Sequence, residues 1–119
     1  MIAVGEYLLG SVTERDLMMS TGFAGGIGST YEDNCGVFSA GVMLIGAIYG
    51  RTTAEQDDEN CQALVSEYKT RFKARFETLT CSELREEDYG SGRKEPCSIL
   101  VERASQILLD VIHQSESGP

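Results

Sequence analysis

The sequence predicts an all-α protein, a small helical bundle of about four or five helices with one glycine-rich inter-helix loop. Three observations carry that reading. Apolar residues recur at helical spacing in two long segments. No segment shows the strict alternation of a half-buried strand. Glycines crowd between Gly22 and Gly36. At 119 residues and 41% hydrophobic content the chain is long enough for one domain with a real core, and for no more. Residues 1–113 form the expected single helical domain, and the polar residues 114–119 an expected disordered tail.

Met1 to Leu9 reads as the end of a first helix. Thr13 suits the cap of a second, because Glu14 and Asp16 follow in a first turn where carboxylates favour the helix dipole. That helix runs to about Thr21, where the glycine loop stops it. Asp33 or Asn34 can cap a third helix over Cys35 to Tyr49. Its interior glycines each cost about 1 kcal/mol of helix propensity, which close packing of a neighbouring helix offsets. Gly50-Arg51-Thr52 ends it, and Thr53 is the expected cap of a long fourth helix. There Cys61, Leu64, Val65, Tyr68, Phe72, Phe76 and Leu79 form one apolar stripe. Ser82 can cap a short turn before the Gly90-Ser91-Gly92 loop. Pro96 suits the first position of a last helix, whose core face is Leu100, Ala104, Ile107, Leu108, Val111 and Ile112.

The net charge of -9 would repel phosphates, which argues against nucleic acid and against an anionic membrane surface. The longest apolar run, Cys35 to Tyr49, falls short of the about 20 residues that a membrane span needs. The start is apolar but lacks a basic leader and carries Glu6, so the expected location is cytoplasmic.

Four cysteines stand at 35, 61, 81 and 97, with no CxxC, CxxCH or zinc-finger spacing. Without a secretory leader, structural disulfides are not expected. Cys35, Cys81 and Cys97 fall at predicted helix starts, where free backbone N–H groups and the positive dipole end stabilise a thiolate. Thiolates bind metals and attack disulfides or peroxides. Cysteine is also simply a good buried residue, so inert core thiols stand as the plain alternative. Cys61 lies on the apolar stripe and reads as such a core thiol.

Other motifs point to little chemistry. Gly26-Ile27-Gly28-Ser29-Thr30 has no lysine at the phosphate-loop position and follows a helix rather than a strand. His113 is the sole histidine and reads as a surface residue, so a Ser-His-Asp or Cys-His enzyme is hard to build. The acidic set Glu83, Glu86, Glu87 and Asp88 and the basic set Lys69 to Arg75 read as solvated faces. A docking patch for an acidic partner is the sharper alternative for the basic set.

The string Gly22-Phe23-Ala24-Gly25-Gly26-Ile27-Gly28, then Asn34 to Gly41, then Met43, Gly46 and Tyr49-Gly50-Arg51, resembles the C-GCAxxG-C-C family of putative redox-active proteins. Cys81 and Cys97 match that family's two later cysteines. The resemblance spans roughly Met1 to Ile112. It implies a small bacterial or archaeal protein whose redox role rests on recurring cysteines, often encoded near transporter or oxidoreductase genes. The glycine-cysteine motif is not matched letter for letter, since Val37 and Ala40 depart from it and Gly41 falls one place late. The family's first cysteine would stand a few residues before Met1. Either the start is truncated or this member has lost a thiol. Cys61 restores the count to four, although it sits on another helix.

The leading expectation is therefore a redox-active or metal-binding cysteine protein. Cys35 is the candidate redox thiol, with Cys81 and Cys97 as companions. Gly25, Gly26, Gly28 and Gly36 are the candidate cofactor-binding glycines. Three thiolates can hold a metal or an iron–sulfur cluster with one open position, or two can form a reversible disulfide. A redox partner or a transporter-associated protein is the expected partner. The alternative is a helical interaction protein with inert buried cysteines, its glycines serving helix packing at a homodimer interface.

Overall fold

Six α-helices follow one another along the chain in a computed structural model that describes residues 2–24, 26–87 and 97–117, with side chains described for 4–24, 26–84 and 99–114. They are α1 (Ile2–Leu9), α2 (Glu14–Ser20), α3 (Gly36–Tyr49), α4 (Glu59–Phe76), α5 (Cys81–Glu87) and α6 (Cys97–Ser117). A short 3-10 turn, Thr21–Phe23, continues α2 into the glycine loop. No strand occurs among the described residues. An antiparallel bridge joins Asn34 to Thr80.

The core lies where α3, α4 and α6 pack against one another, with α1 laid on α3. Both apolar stripes read from the sequence are there, except that α4 ends at Phe76 and Leu79 lies beyond it. Cys61, Leu64, Tyr68, Phe72 and Phe76 face inward from α4, and Leu100, Ala104, Leu108, Val111 and Ile112 from α6. An aromatic group fills the α3–α4 seam. Phe38 stacks on Tyr68 with centroids 5.2 Å apart, meets Phe72 edge-on at 5.3 Å, and Phe72 reaches Phe76 at 4.7 Å. Such pairs contribute about 0.5–1.5 kcal/mol beyond the area they bury. The seam is close because Gly41 has no side chain: a Cβ there would lie 2.6 Å from the Tyr68 ring. The glycine that weakens α3 locally is what lets α4 approach.

Helix ends show which local signals won. Thr13 caps α2 in a reciprocal box, its Oγ1 accepting from the Asp16 N–H at 3.1 Å while the Asp16 carboxylate accepts from the Thr13 N–H at 3.0 Å. Thr53 does not cap α4, which starts six residues later at Glu59. The Arg51 guanidinium donates to the carbonyls of Ala54 and Gln56, and the Gln56 side chain accepts from the Thr52 N–H. These bonds hold the segment in a turn that competes with helix. The Asp57 carboxylate then accepts the Glu59 N–H at 2.8 Å.

Neither Asp33 nor Asn34 caps α3. Cys35 holds that position, because residues 33 to 35 are engaged with residues 79 to 81. Ser82 is likewise not the cap of α5. Thr80 precedes the helix and its carbonyl accepts from the Leu84 N–H, so Cys81 is the first helical residue. Helix α6 runs on to Ser117, four residues beyond the expected limit at 113. Pro96 and the Gly90-Ser91-Gly92 loop lie outside the described residues. Among the described residues no helix is long and apolar enough to cross a membrane.

Candidate thiol site

The glycine loop turns by a device that only glycine makes easy. Residues 26 to 29 have φ of +62°, +62°, +63° and +60°, one short left-handed turn, and Tyr31 returns to +62°. For Ile27, Ser29 and Tyr31 this conformation costs about 1–2 kcal/mol each. Hydrogen bonds hold it. The Gly28 N–H donates to the Gly22 carbonyl at 2.8 Å, the Ser29 N–H to Ala24 at 3.1 Å, and the Thr30 hydroxyl to Gly26 at 3.0 Å.

The turn delivers residues 31 to 35 alongside residues 79 to 82. The Cys35 N–H donates to the Leu79 carbonyl at 2.7 Å. The Cys81 N–H donates to Asp33 and the Ser82 N–H to Tyr31, both at 2.9 Å. Side chains alternate along such paired backbone, so Cys35 and Cys81, each one step from the Asn34–Thr80 pair, share a side. They are diagonal neighbours, whose Cα atoms stand about 7–8 Å apart in such a pairing. Two thiols 46 positions apart in sequence are thus set together by backbone bonds.

Both thiols line one cavity of about 340 Å³, walled by the glycine loop, α3, α4 and α6. Tyr68 and Leu108 form part of its floor. Tyr31 and Val101, 42% and 41% exposed, stand at its mouth. Among the described residues that line it, none is charged. The small residues Ala40 and Ala104 are part of its wall. The Tyr68 phenol is almost wholly buried, and that burial pushes its pKa well up. The nearby Cys35 thiol, when ionised, adds to the rise. The phenol therefore keeps its proton over the range in which a thiol ionises, and it faces the cavity as a hydrogen-bond donor.

The other predicted residues are distributed unevenly. Gly26 abuts Cys81: a Cβ on Gly26 would fall 2.6 Å from the Cys81 Cβ. Gly36 abuts the Phe23 carbonyl, 3.0 Å from a would-be Cβ. These two glycines admit neighbouring protein. Gly28 has open space around it, and Gly25 lies outside the described residues. Cys97 opens α6, and its side chain lies outside the described ones. Cys61 is buried in the core cluster and does not line the cavity. His113 is exposed, with its ring edge-on to Tyr7 at 6.1 Å. Among the described residues no three of the His, Cys, Asp and Glu side chains are grouped to hold a metal ion.

Sequence reasoning placed Tyr68 in the core stripe and missed that it also lines the cavity near Cys35. The available signal was Gly41, a glycine inside an otherwise apolar helix, which marks the close approach of a bulky neighbour.

The family model described as "Putative redox-active protein (C_GCAxxG_C_C)" matches residues 1–111. Searches of curated proteins and of solved structures gave no match.

Proposed function

The chain belongs to the C_GCAxxG_C_C family of putative redox-active proteins, and from that premise we propose that Cys35 and Cys81 are its working dithiol. The observation that carries the reading is the Asn34–Thr80 pairing, which sets both thiols on one side of the paired backbone and into one cavity. The chemistry is a two-electron couple. Two thiols lose two protons and two electrons to an acceptor and become one disulfide, and a reductant returns them. Cys35 stands at the amino end of a 14-residue helix, where the dipole favours its thiolate, so it is the attacking sulfur. Cys81 is the resolving sulfur. Diagonal spacing slightly exceeds ordinary disulfide reach, so closure draws the start of α5 toward α3 by about an ångström.

Metal or iron–sulfur ligation fits the described residues less well. Closed thiolate sites use four donors, and two sulfurs are brought together here, with the Cys97 side chain outside the description. No step is assigned to such a group. A second reading, an interaction protein, is favoured by α2, which buries none of its residues and exposes Met18 and Met19 at 75% and 64%. A redox partner, or a second copy of the chain in a homodimer, would dock there. A cytoplasmic setting suits the reading, because a reducing compartment keeps the couple cycling.

Equilibration against oxidised and reduced dithiothreitol, followed by thiol counting, tests the proposal. Two thiols should disappear together in one transition, and Cys35→Ser or Cys81→Ser should each abolish it. A transition that survives either substitution contradicts the assignment.

A further inference from the structure

We propose that the oxidant of this dithiol is a small, neutral, apolar disulfide that enters the cavity, rather than a protein disulfide or a charged one. The inference rests on the dithiol reading above and adds the class of substrate.

Three observations carry it. The first is burial. Cys35 and Cys81 are 7% and 9% exposed. Exchange needs three sulfurs in line, and a disulfide held on another protein's surface cannot be brought against sulfurs set behind Tyr31 and Val101. A small molecule can. The second is size. About 340 Å³ lies at the small end of ligand pockets, which run from about 300 to 1,000 Å³. The third is charge. Among the described residues of the lining there is no Lys, Arg or His to hold a carboxylate, and no Asp or Glu to hold an amine. A charged substrate would lose its hydration there without compensation. The polar groups are hydroxyls, such as Tyr68 and Ser105, which suit a neutral guest.

The same lining favours a disulfide over a peroxide. Cleaving an O–O bond puts charge on a hard alkoxide, which wants a cation beside it. Exchange spreads charge over soft sulfurs, which an apolar wall tolerates. The Cys35 thiolate attacks one sulfur of R–S–S–R, forming Cys35–S–S–R and expelling a thiolate that takes up the proton Cys35 gave. Cys81 then attacks the Cys35 sulfur, the Cys35–Cys81 bond forms, and the second R–SH leaves with the Cys81 proton. The chain loses two electrons and the substrate gains two. The apolar cavity holds the R group between the two steps. A small thiol reductant restores the dithiol for the next cycle.

The test compares three disulfides of similar size by stopped-flow oxidation of the reduced full chain: diethyl disulfide (neutral), cystamine (dicationic) and dithiodiglycolate (dianionic). Each rate is normalised to the same disulfide reacting with free 2-mercaptoethanol. The neutral compound should be favoured by at least about tenfold over both charged ones, the scale set by burying an uncompensated charge. Val101→Lys, at a half-exposed mouth position, should raise the dianion's rate relative to the neutral one. Cystamine fastest of the three would show that the field of a chain of net charge -9 governs entry, and would overturn the inference. Equal normalised rates would also overturn it. In both cases the Cys35–Cys81 bond still forms and the dithiol reading stands. No bond with any of the three contradicts the dithiol reading itself.

Discussion

Cys61 and Cys35 are buried almost equally, 9% and 7% exposed, yet they occupy different kinds of place. Cys61 sits inside α4, on a stripe that packs into a filled core. Cys35 sits at a joint, where a left-handed turn ends, a backbone bridge begins and a helix starts, and its side chain borders a cavity. Equal burial therefore leaves the two thiols in unequal surroundings. What separates the two is their surroundings: Cys61 belongs to the core cluster, and Cys35 also lines the cavity that Cys81 lines. The same contrast runs along α3. Its Phe38 face is filled by aromatic rings, and its Ala40 side borders the cavity.

The largest expected effect comes from exchanging the two sites. Cys35→Ser should eliminate the intramolecular disulfide, whereas Cys61→Ala should leave its yield unchanged, as read by intact mass after mild oxidation. Gly41→Leu breaks the contrast from the packed side. Its side chain would collide with the Tyr68 ring, and overpacking of this kind costs about 3 kcal/mol, measurable by urea unfolding. Gly26→Ala attacks the joint. It places a methyl against Cys81 at φ +62°, so stability should fall by about 1–2 kcal/mol and the disulfide should form more slowly. Cys61→Ala should cost about 1 kcal/mol, the usual size for trimming a small buried group.

The smallest effect is at α2. The Thr13 N–H bond, and then the Thr13 hydroxyl, hold the Asp16 carboxyl below its ordinary 3.8. A depressed folded value means the carboxylate stabilises the folded chain above pH 3.8. That contribution is lost as pH falls through the lower folded value. Helicity of α2 followed by NMR should therefore drop on acidification below that range, and Asp16→Asn should blunt the drop.

The helical architecture was legible because its signals are periodic and local. Tyr68, Phe72 and Phe76 on α4, and Leu100, Leu108 and Ile112 on α6, announce their faces by spacing alone. The Thr13 cap was legible for the same reason. The late start of α4 was not, because Thr53 carries a cap residue's chemistry while Arg51 and Gln56 bind the same stretch into a turn. The site was half legible. Cys35 and Cys81 stood out as thiols at helix starts, but their meeting depends on the Asn34–Thr80 bridge, and no spacing encodes a bridge 46 residues long. The cavity was hidden for a further reason: small residues such as Ala40 and Ala104 look the same in a helix whether a neighbour or a void lies opposite.

The central claim, that Cys35 and Cys81 act as a pair, is met most directly by peptide mapping of the native chain after brief oxidation. The peptides bearing Cys35 and Cys81 should be recovered joined, and dithiothreitol should separate them. Recovery of Cys35 joined to Cys61, or of both peptides unjoined under conditions that consume two thiols, would contradict the account.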